Sequence, residues 1–145
     1  MKLERIGLIG YGEVGKIFSA GLLKQPGVTG VGAWDLKFAQ AATQATERAH
    51  AAQAGIDAHS CMQALCEDSE LILSAVTASA TLAVAQEAAA FIRPGTIFLD
   101  LNSASPGTKQ QAATLIEAAG GHYVEAGVMT SVPPFGIKVP MLLGG

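Results

Sequence analysis

Apolar residues fall along this chain in short solid runs, separated by stretches whose apolar positions recur with the period of a helix. Residues 5–9 form the first run, and Val14, Ile17, Phe18 and Leu22 behind it keep to one helix face. Gln25-Pro26-Gly27 stops that helix. Residues 28–34 read as a second strand. Residues 38–54 are alanine-rich and polar on one side (Gln40, Gln44, Glu47, Arg48), with Gly55 suited to close them, so a helix is expected. Residues 56–59 read as a short third strand and 60–66 as a short helix capped by Ser60. Residues 71–76 are nearly all apolar, as buried parallel strands are. Residues 79–91 form another alanine-rich helix, closed by Arg93-Pro94-Gly95. Residues 96–99 are strand five. Ser105 as cap and Pro106 in the first helical position open a helix that runs to Ala119. Residues 122–125 are strand six, 127–138 a loop rich in Gly and Pro, and 139–143 a final strand.

Strands alternating with helices imply an α/β fold: a doubly wound, mainly parallel sheet with helices on both faces. Right-handed crossovers place the C-terminal ends of the strands on one rim, and ligands bind along that rim where the strand order reverses. No internal repeat or linker is visible, so residues 1–145 read as one domain. A chain of this size buries about 68–70% of its unfolded surface.

The corner between the first strand and helix carries Gly10, Gly12 and Gly15, the spacing G-x-G-x-x-G. Gly10 permits a tight turn, Gly12 leaves room for a pyrophosphate against the backbone, and Gly15 allows close helix–strand packing. The helix start offers free N–H groups to the phosphates. Seventeen glycines make a chance match easy, but the second apolar run ends at Asp35, 20 residues beyond Gly15. That is the place of the acid that accepts the adenosine ribose hydroxyls in dinucleotide sites. Asp35 as a plain helix cap is the alternative. The expected cofactor residues are Gly10, Tyr11, Gly12, Glu13, Val14, Gly15, Asp35, Lys37, Val76 and Thr77. Asp35 favours NAD, with NADP the alternative because Lys37 lies close by to meet a 2′-phosphate; a solvated lysine is the commoner reading of Lys37. Val76 and Thr77 follow the fourth strand, and small or hydroxyl residues there suit a ribose.

Composition changes the picture in three ways. Half the residues are hydrophobic and 14% are charged, against about 25% charged in ordinary soluble domains. Much of the excess is alanine, suited to tightly packed helices and to surface covered by something else, so a homo-oligomer is expected. The net charge of −3, with no basic run, gives nucleic-acid binding no support. No apolar run approaches the ~20 residues needed to span a bilayer, and the chain enters a strand almost at once, which argues against a signal peptide. Cys61 and Cys66, five apart, match no metal or redox spacing and read as reduced thiols of a cytoplasmic protein. No metal site is expected. His50, His59 and His122 are scattered and read as solvated or packing residues.

The rim segment 100–108, DLNSASPGT, gathers an amide, hydroxyls and a helix start, which together suit a carboxylate or phosphate. Asn102, Ser103 and Ala104 are expected to meet substrate; shaping the turn is the alternative for Asn102. Lys109, one turn into the following helix, is expected to face solvent.

Together these segments resemble the β-hydroxyacid dehydrogenase superfamily, which includes 3-hydroxyisobutyrate and 6-phosphogluconate dehydrogenases. GLIGYGEVG is similar to its cofactor loop, DLNSASPGTK to its substrate signature, and GVMTSVPPFGIKVPMLLGG to the stretch that carries a Gly-Gly pair. Asn102 stands where a serine is usual, and Thr130-Ser131 where the glycine pair is expected. The resemblance spans the chain as an N-terminal Rossmann domain. It implies hydride transfer between a small hydroxyacid and a nicotinamide cofactor, with Met129 and Thr130 joining the substrate pocket. It also implies a catalytic lysine and an all-helical second domain beyond Gly145, and hence no catalytic residue within 1–145. A stand-alone NAD(H)-sensing module is the competing reading; a methyltransferase suits the glycine spacing less well.

Overall fold

The computed structural model describes residues 4–128 and 141–144. Among the described residues, seven strands form one sheet in the order β3-β2-β1-β4-β5-β6-β7. The first half supplies β1 (Arg5–Ile9), α1 (Glu13–Leu23), β2 (Gly30–Trp34), α2 (Gln44–Ala54), β3 (Asp57–Ala58) and α3 (Met62–Glu67). The second half supplies β4 (Leu71–Ser74), α4 (Thr81–Ala89), β5 (Ile97–Asp100), α5 (Pro106–Ala118), β6 (His122–Val128) and β7 (Met141–Gly144). Strands β1 to β6 are parallel, and β7 pairs with β6 antiparallel, Glu125 opposite Gly144. The doubly wound sheet expected from the alternation is the one formed.

Side chains alternate across the strands, so the sheet feeds two cores. Ile6, Leu8, Val31 and Leu73 meet Phe18 of α1, Ala51 of α2 and Phe38, which precedes α2, on one face. Ile9, Ile72 and Phe98 meet Met62 and Leu65 of α3, Ala85 and Ala88 of α4, and Ala112 and Ile116 of α5 on the other. Alanines at these contacts let the helices lie close to the sheet.

Several boundaries differ from expectation. The segment 38–54 is not one helix: a 3-10 turn spans Leu36–Phe38, and α2 starts at Gln44. Asp35 Oδ1 accepts the Lys37 N–H at 2.9 Å, and the Thr43 hydroxyl donates to the Lys37 carbonyl at 2.8 Å. These side chains satisfy both backbone groups of Lys37 and hold the chain in a separate turn before α2. Ser60 does not cap α3; Cys61 holds that position, without a side-chain cap. The helix expected over 79–91 is likewise divided, with a 3-10 turn at Ala78–Ala80 before α4. Ser105 caps α5 as expected, its Oγ accepting the Thr108 N–H at 3.3 Å.

Candidate cofactor cleft

Strand order reverses between β1 and β4, which run side by side while their connections leave in opposite directions. The chain cannot cover the rim at such a point, and a crevice results. Here it is a cleft of about 650 Å³. One wall is the turn after β1, with Gly10, Gly12, Glu13 and Val14; the floor includes Ile9 and Ala75. Trp34, Asp35, Leu36 and Lys37 close one end after β2, and Val76 and Thr77 stand after β4. Met62 of α3 with Ala80, Ala83, Val84 and Glu87 completes the far wall.

The glycines do what their spacing requires. Gly10 has φ of +103°, a conformation that side-chained residues rarely adopt. A Cβ on Gly15 would run into the Gly10 carbonyl, so α1 packs against the turn only with glycine there. A Cβ on Gly12 would meet nothing within 4 Å, because Gly12 faces the open cleft. No side chain caps the start of α1, where Gly12 is the N-cap residue. The first-turn N–H groups therefore point toward the cleft with the positive end of the helix dipole behind them.

Asp35 is tied twice. Its Oδ2 accepts the Tyr11 N–H at 2.7 Å, and its Oδ1 accepts the Lys37 N–H at 2.9 Å. It is thus a cap, the alternative left open by the sequence. Each carboxylate oxygen retains acceptor capacity on the cleft side for a ribose hydroxyl. Tyr11 contributes its backbone; its ring is fully buried against Phe38, and its hydroxyl lies 2.8 Å from His50 Nδ1. Burial, reinforced by Glu47, holds the Tyr11 hydroxyl pKa above its usual value.

Glu47 is a part of this corner that periodicity showed only as one polar position on a helix. Its Oε1 lies 3.2 Å from Lys37 Nζ, and its Oε2 lies 3.0 Å from Lys16 Nζ. Burial alone would raise the Glu47 pKa, but hydrogen bonds from Lys16 and Lys37 outweigh it and hold the carboxyl below its usual range. The contacts join residues 31 and 10 positions apart in the chain, beyond the reach of any local pattern.

The candidate substrate residues are placed differently. Asn102 is 4% exposed and does not line the cleft. Its Oδ1 accepts the Val76 N–H at 2.7 Å, its Nδ2 donates to Ser74 Oγ at 3.0 Å, and its backbone N–H donates to Asp100 Oδ1 at 2.8 Å. It stitches the loop after β5 to the loop after β4. The buried Asp100 also accepts the Tyr123 hydroxyl at 2.5 Å. Burial, then this hydrogen bond, drives the Tyr123 pKa far above its ordinary value. Ser103 is exposed and Ala104 half-buried on the same rim. Met129 and Thr130 lie outside the described residues. Lys109 contradicts expectation: it is 5% exposed, with Nζ 3.7 Å from Glu125 Oε1. The first turn of α5 carries it onto β6 rather than outward. Among the described residues, no group of His, Cys, Asp or Glu is arranged to hold a metal, and no helix is long and apolar enough to cross a membrane.

Comparison with known proteins agrees with this geometry. A conserved hypothetical protein from Sinorhizobium meliloti 1021 is 35% identical, with a TM-score of 0.90 over 97% of this chain and 46% of that one. A conserved protein of unknown function, described as structurally similar to 3-hydroxyacid dehydrogenases, is 29% identical, with a TM-score of 0.76 over 96% of this chain and 49% of that one. The Mycobacterium tuberculosis 3-hydroxyisobutyrate dehydrogenase shares the fold at 20% identity, with a TM-score of 0.84 over 99% of this chain and 47% of that one. This chain therefore spans about half the length of these solved structures. No curated protein matches it. The matching family model describes a domain of a dehydrogenase rather than a stand-alone sensing module. Residues 5–133 match the NAD-binding domain of 6-phosphogluconate dehydrogenase, and the chain belongs to that family.

Proposed function

We propose that the cleft binds a nicotinamide dinucleotide, NAD in preference to NADP, for an oxidoreductase acting on a small hydroxyacid. The observation that carries this reading is the open face of Gly12 at an uncapped helix start, in a cleft whose far corner holds Asp35. These residues fit the cofactor: room for phosphate oxygens beside N–H donors, and a carboxylate for a ribose. Gly10 to Gly15 would hold the pyrophosphate through backbone N–H groups. Asp35 would accept the adenosine ribose hydroxyls and repel a 2′-phosphate. Val76 and Thr77 would flank the other half of the cofactor. The nicotinamide ring supplies hydride transfer when bound.

The chain's own residues also shape the neighbouring substrate edge. Asn102 fixes the backbone after β4 at Val76, so the two loops keep a common geometry. Ser103, with Met129 and Thr130, is proposed to meet the substrate carboxylate, and Asn102 to act by holding Ser103 in place. Asn102 still has one amide hydrogen beyond its bond to Ser74. Removal of the hydroxyl proton is assigned to a lysine of a following segment, as the family resemblance implies. A cytoplasmic, homo-oligomeric enzyme accords with this reading.

Calorimetric titration with NAD⁺ and NADP⁺ tests it. Saturable binding of NAD⁺, tighter than NADP⁺, is expected. Equal affinities would remove Asp35 from its assigned role, and absence of both would remove the reading.

A further inference from the structure

Three charged side chains beside the cleft have no part in the proposed binding of NAD. Lys37 lines the cleft, with its backbone N–H held by Asp35. Lys16 rises from α1 and lies 5.5 Å from the centre of the Tyr11 ring. Between them stands Glu47 of α2, 12% exposed, in contact with both ammonium groups at 3.0 to 3.3 Å. Glu47 itself does not line the cleft.

Resting on the dinucleotide reading above, we propose that Glu47 is a specificity-determining residue: it occupies Lys37 and Lys16 and so withholds both cations from a cofactor 2′-phosphate. Without Glu47 the Lys37 and Lys16 ammonium groups would lose the carboxylate that pairs them. With it, each lysine already has an anionic partner. A phosphate monoester brings about 1.5 to 2 negative charges. To draw Lys37 onto itself it must compete with Glu47, and a full transfer would leave a largely buried carboxylate without one of its partners, which is costly. Lysine is a flexible point charge that serves phosphate well when free to move. Glu47 takes away that freedom. Discrimination here is thus a repulsive device, an unpaired charge set against the wrong cofactor, added to the direct repulsion by Asp35. A role confined to joining α1 and α2 would leave cofactor preference unmoved when the charge is replaced by an amide of equal size.

The test is calorimetric titration of NAD⁺ and NADP⁺ into the full chain and its Glu47→Gln, Glu47→Asp and Glu47→Gln/Lys37→Met variants. Glu47→Gln is expected to raise the NADP⁺ to NAD⁺ affinity ratio about threefold to tenfold, the range of a partly exposed charge contact. Glu47→Asp keeps the charge and is expected to stay near the parent ratio. Adding Lys37→Met to Glu47→Gln is expected to take the gain back. An unchanged ratio in Glu47→Gln overturns the proposal, as does an equal shift in Glu47→Gln and Glu47→Asp, which would assign the effect to packing. If the parent chain binds neither cofactor, the dinucleotide reading itself fails. If the parent binds NAD⁺ and only the ratio is unmoved, the role of Glu47 alone fails.

Discussion

The Asp35 carboxylate accepts the Tyr11 backbone N–H at 2.7 Å, joining the end of β2 to the glycine turn after β1 across 24 residues. A charge-assisted bond of this kind is stronger than a neutral one. It fixes the acid and the phosphate-binding loop relative to each other before any ligand arrives. The second oxygen, held by the Lys37 N–H, sets the same carboxylate's rotation. The acid is thus preorganised, and little ordering remains for binding to supply.

The glycines at 12 and 15 are expected to fail in opposite ways. Gly12→Ala adds a methyl to the open cleft at a backbone φ of −85°, which alanine tolerates. It should weaken NAD⁺ binding about tenfold or more while losing under about 1 kcal/mol of stability, the scale of a changed helix cap. Gly15→Ala drives a Cβ against the Gly10 carbonyl, which is backbone and cannot rotate away. Overpacking of this sort costs about 1–3 kcal/mol. Thermal melts beside cofactor titrations separate the two; a larger melting loss for Gly12→Ala would reverse the roles.

Asn102→Ala should behave as a stability mutant. It strips a buried acceptor from the Val76 N–H and a donor from Ser74 Oγ. An unsatisfied buried group costs about 1–3 kcal/mol. Ser103→Ala, at an exposed position, should change stability by less than about 0.5 kcal/mol. NAD⁺ affinity should stay close to parent in Ser103→Ala. Urea denaturation of both variants checks the contrast, and equal losses would contradict it.

The contrast between those two neighbours shows what the sequence could and could not reveal. G-x-G-x-x-G and the distant Asp35 were legible because the turn is local and the acid follows at the end of the next strand, one helix and one strand later. The parallel sheet was legible because strands β1, β2 and β4 are short, nearly solid apolar runs alternating with helices. Asn102 was recognised as a rim residue, yet its direction was not, since Ser74 and Val76 lie 28 and 26 positions away. Lys109 reads in sequence as a solvated lysine near a helix start, yet it shares the buried face of Ala112 and Ile116 and reaches Glu125 of β6. The far wall, with Met62, Ala83 and Val84, reads in sequence as ordinary core. The break before α2 was hidden by alanine-rich helix propensity, which the Asp35 and Thr43 bonds override.

The two thiols should differ sharply. Cys61 is exposed and Cys66 buried. Burial first, and then the nearby Glu87 and Glu67 carboxylates, push the Cys66 thiol up to about 12. At pH 8 an alkylating reagent should label Cys61 within minutes and Cys66 only on unfolding, as mass spectrometry of the peptides would show. Because the folded pKa is raised, the neutral thiol's contribution to stability is whole below the unfolded value of about 8.5. It should be lost progressively as pH rises from there toward about 12. Rapid labelling of Cys66 in the folded chain would contradict its burial.

Hydrogen exchange of the full chain, with and without saturating NAD⁺, tests the central claim most directly because it reports where the cofactor binds. The account predicts slowed exchange at residues 12–15, at the start of α1, and at 76–77 after β4, with little change at α5. Protection confined to another face of the sheet, or no protection at millimolar NAD⁺, would contradict the assignment of this cleft.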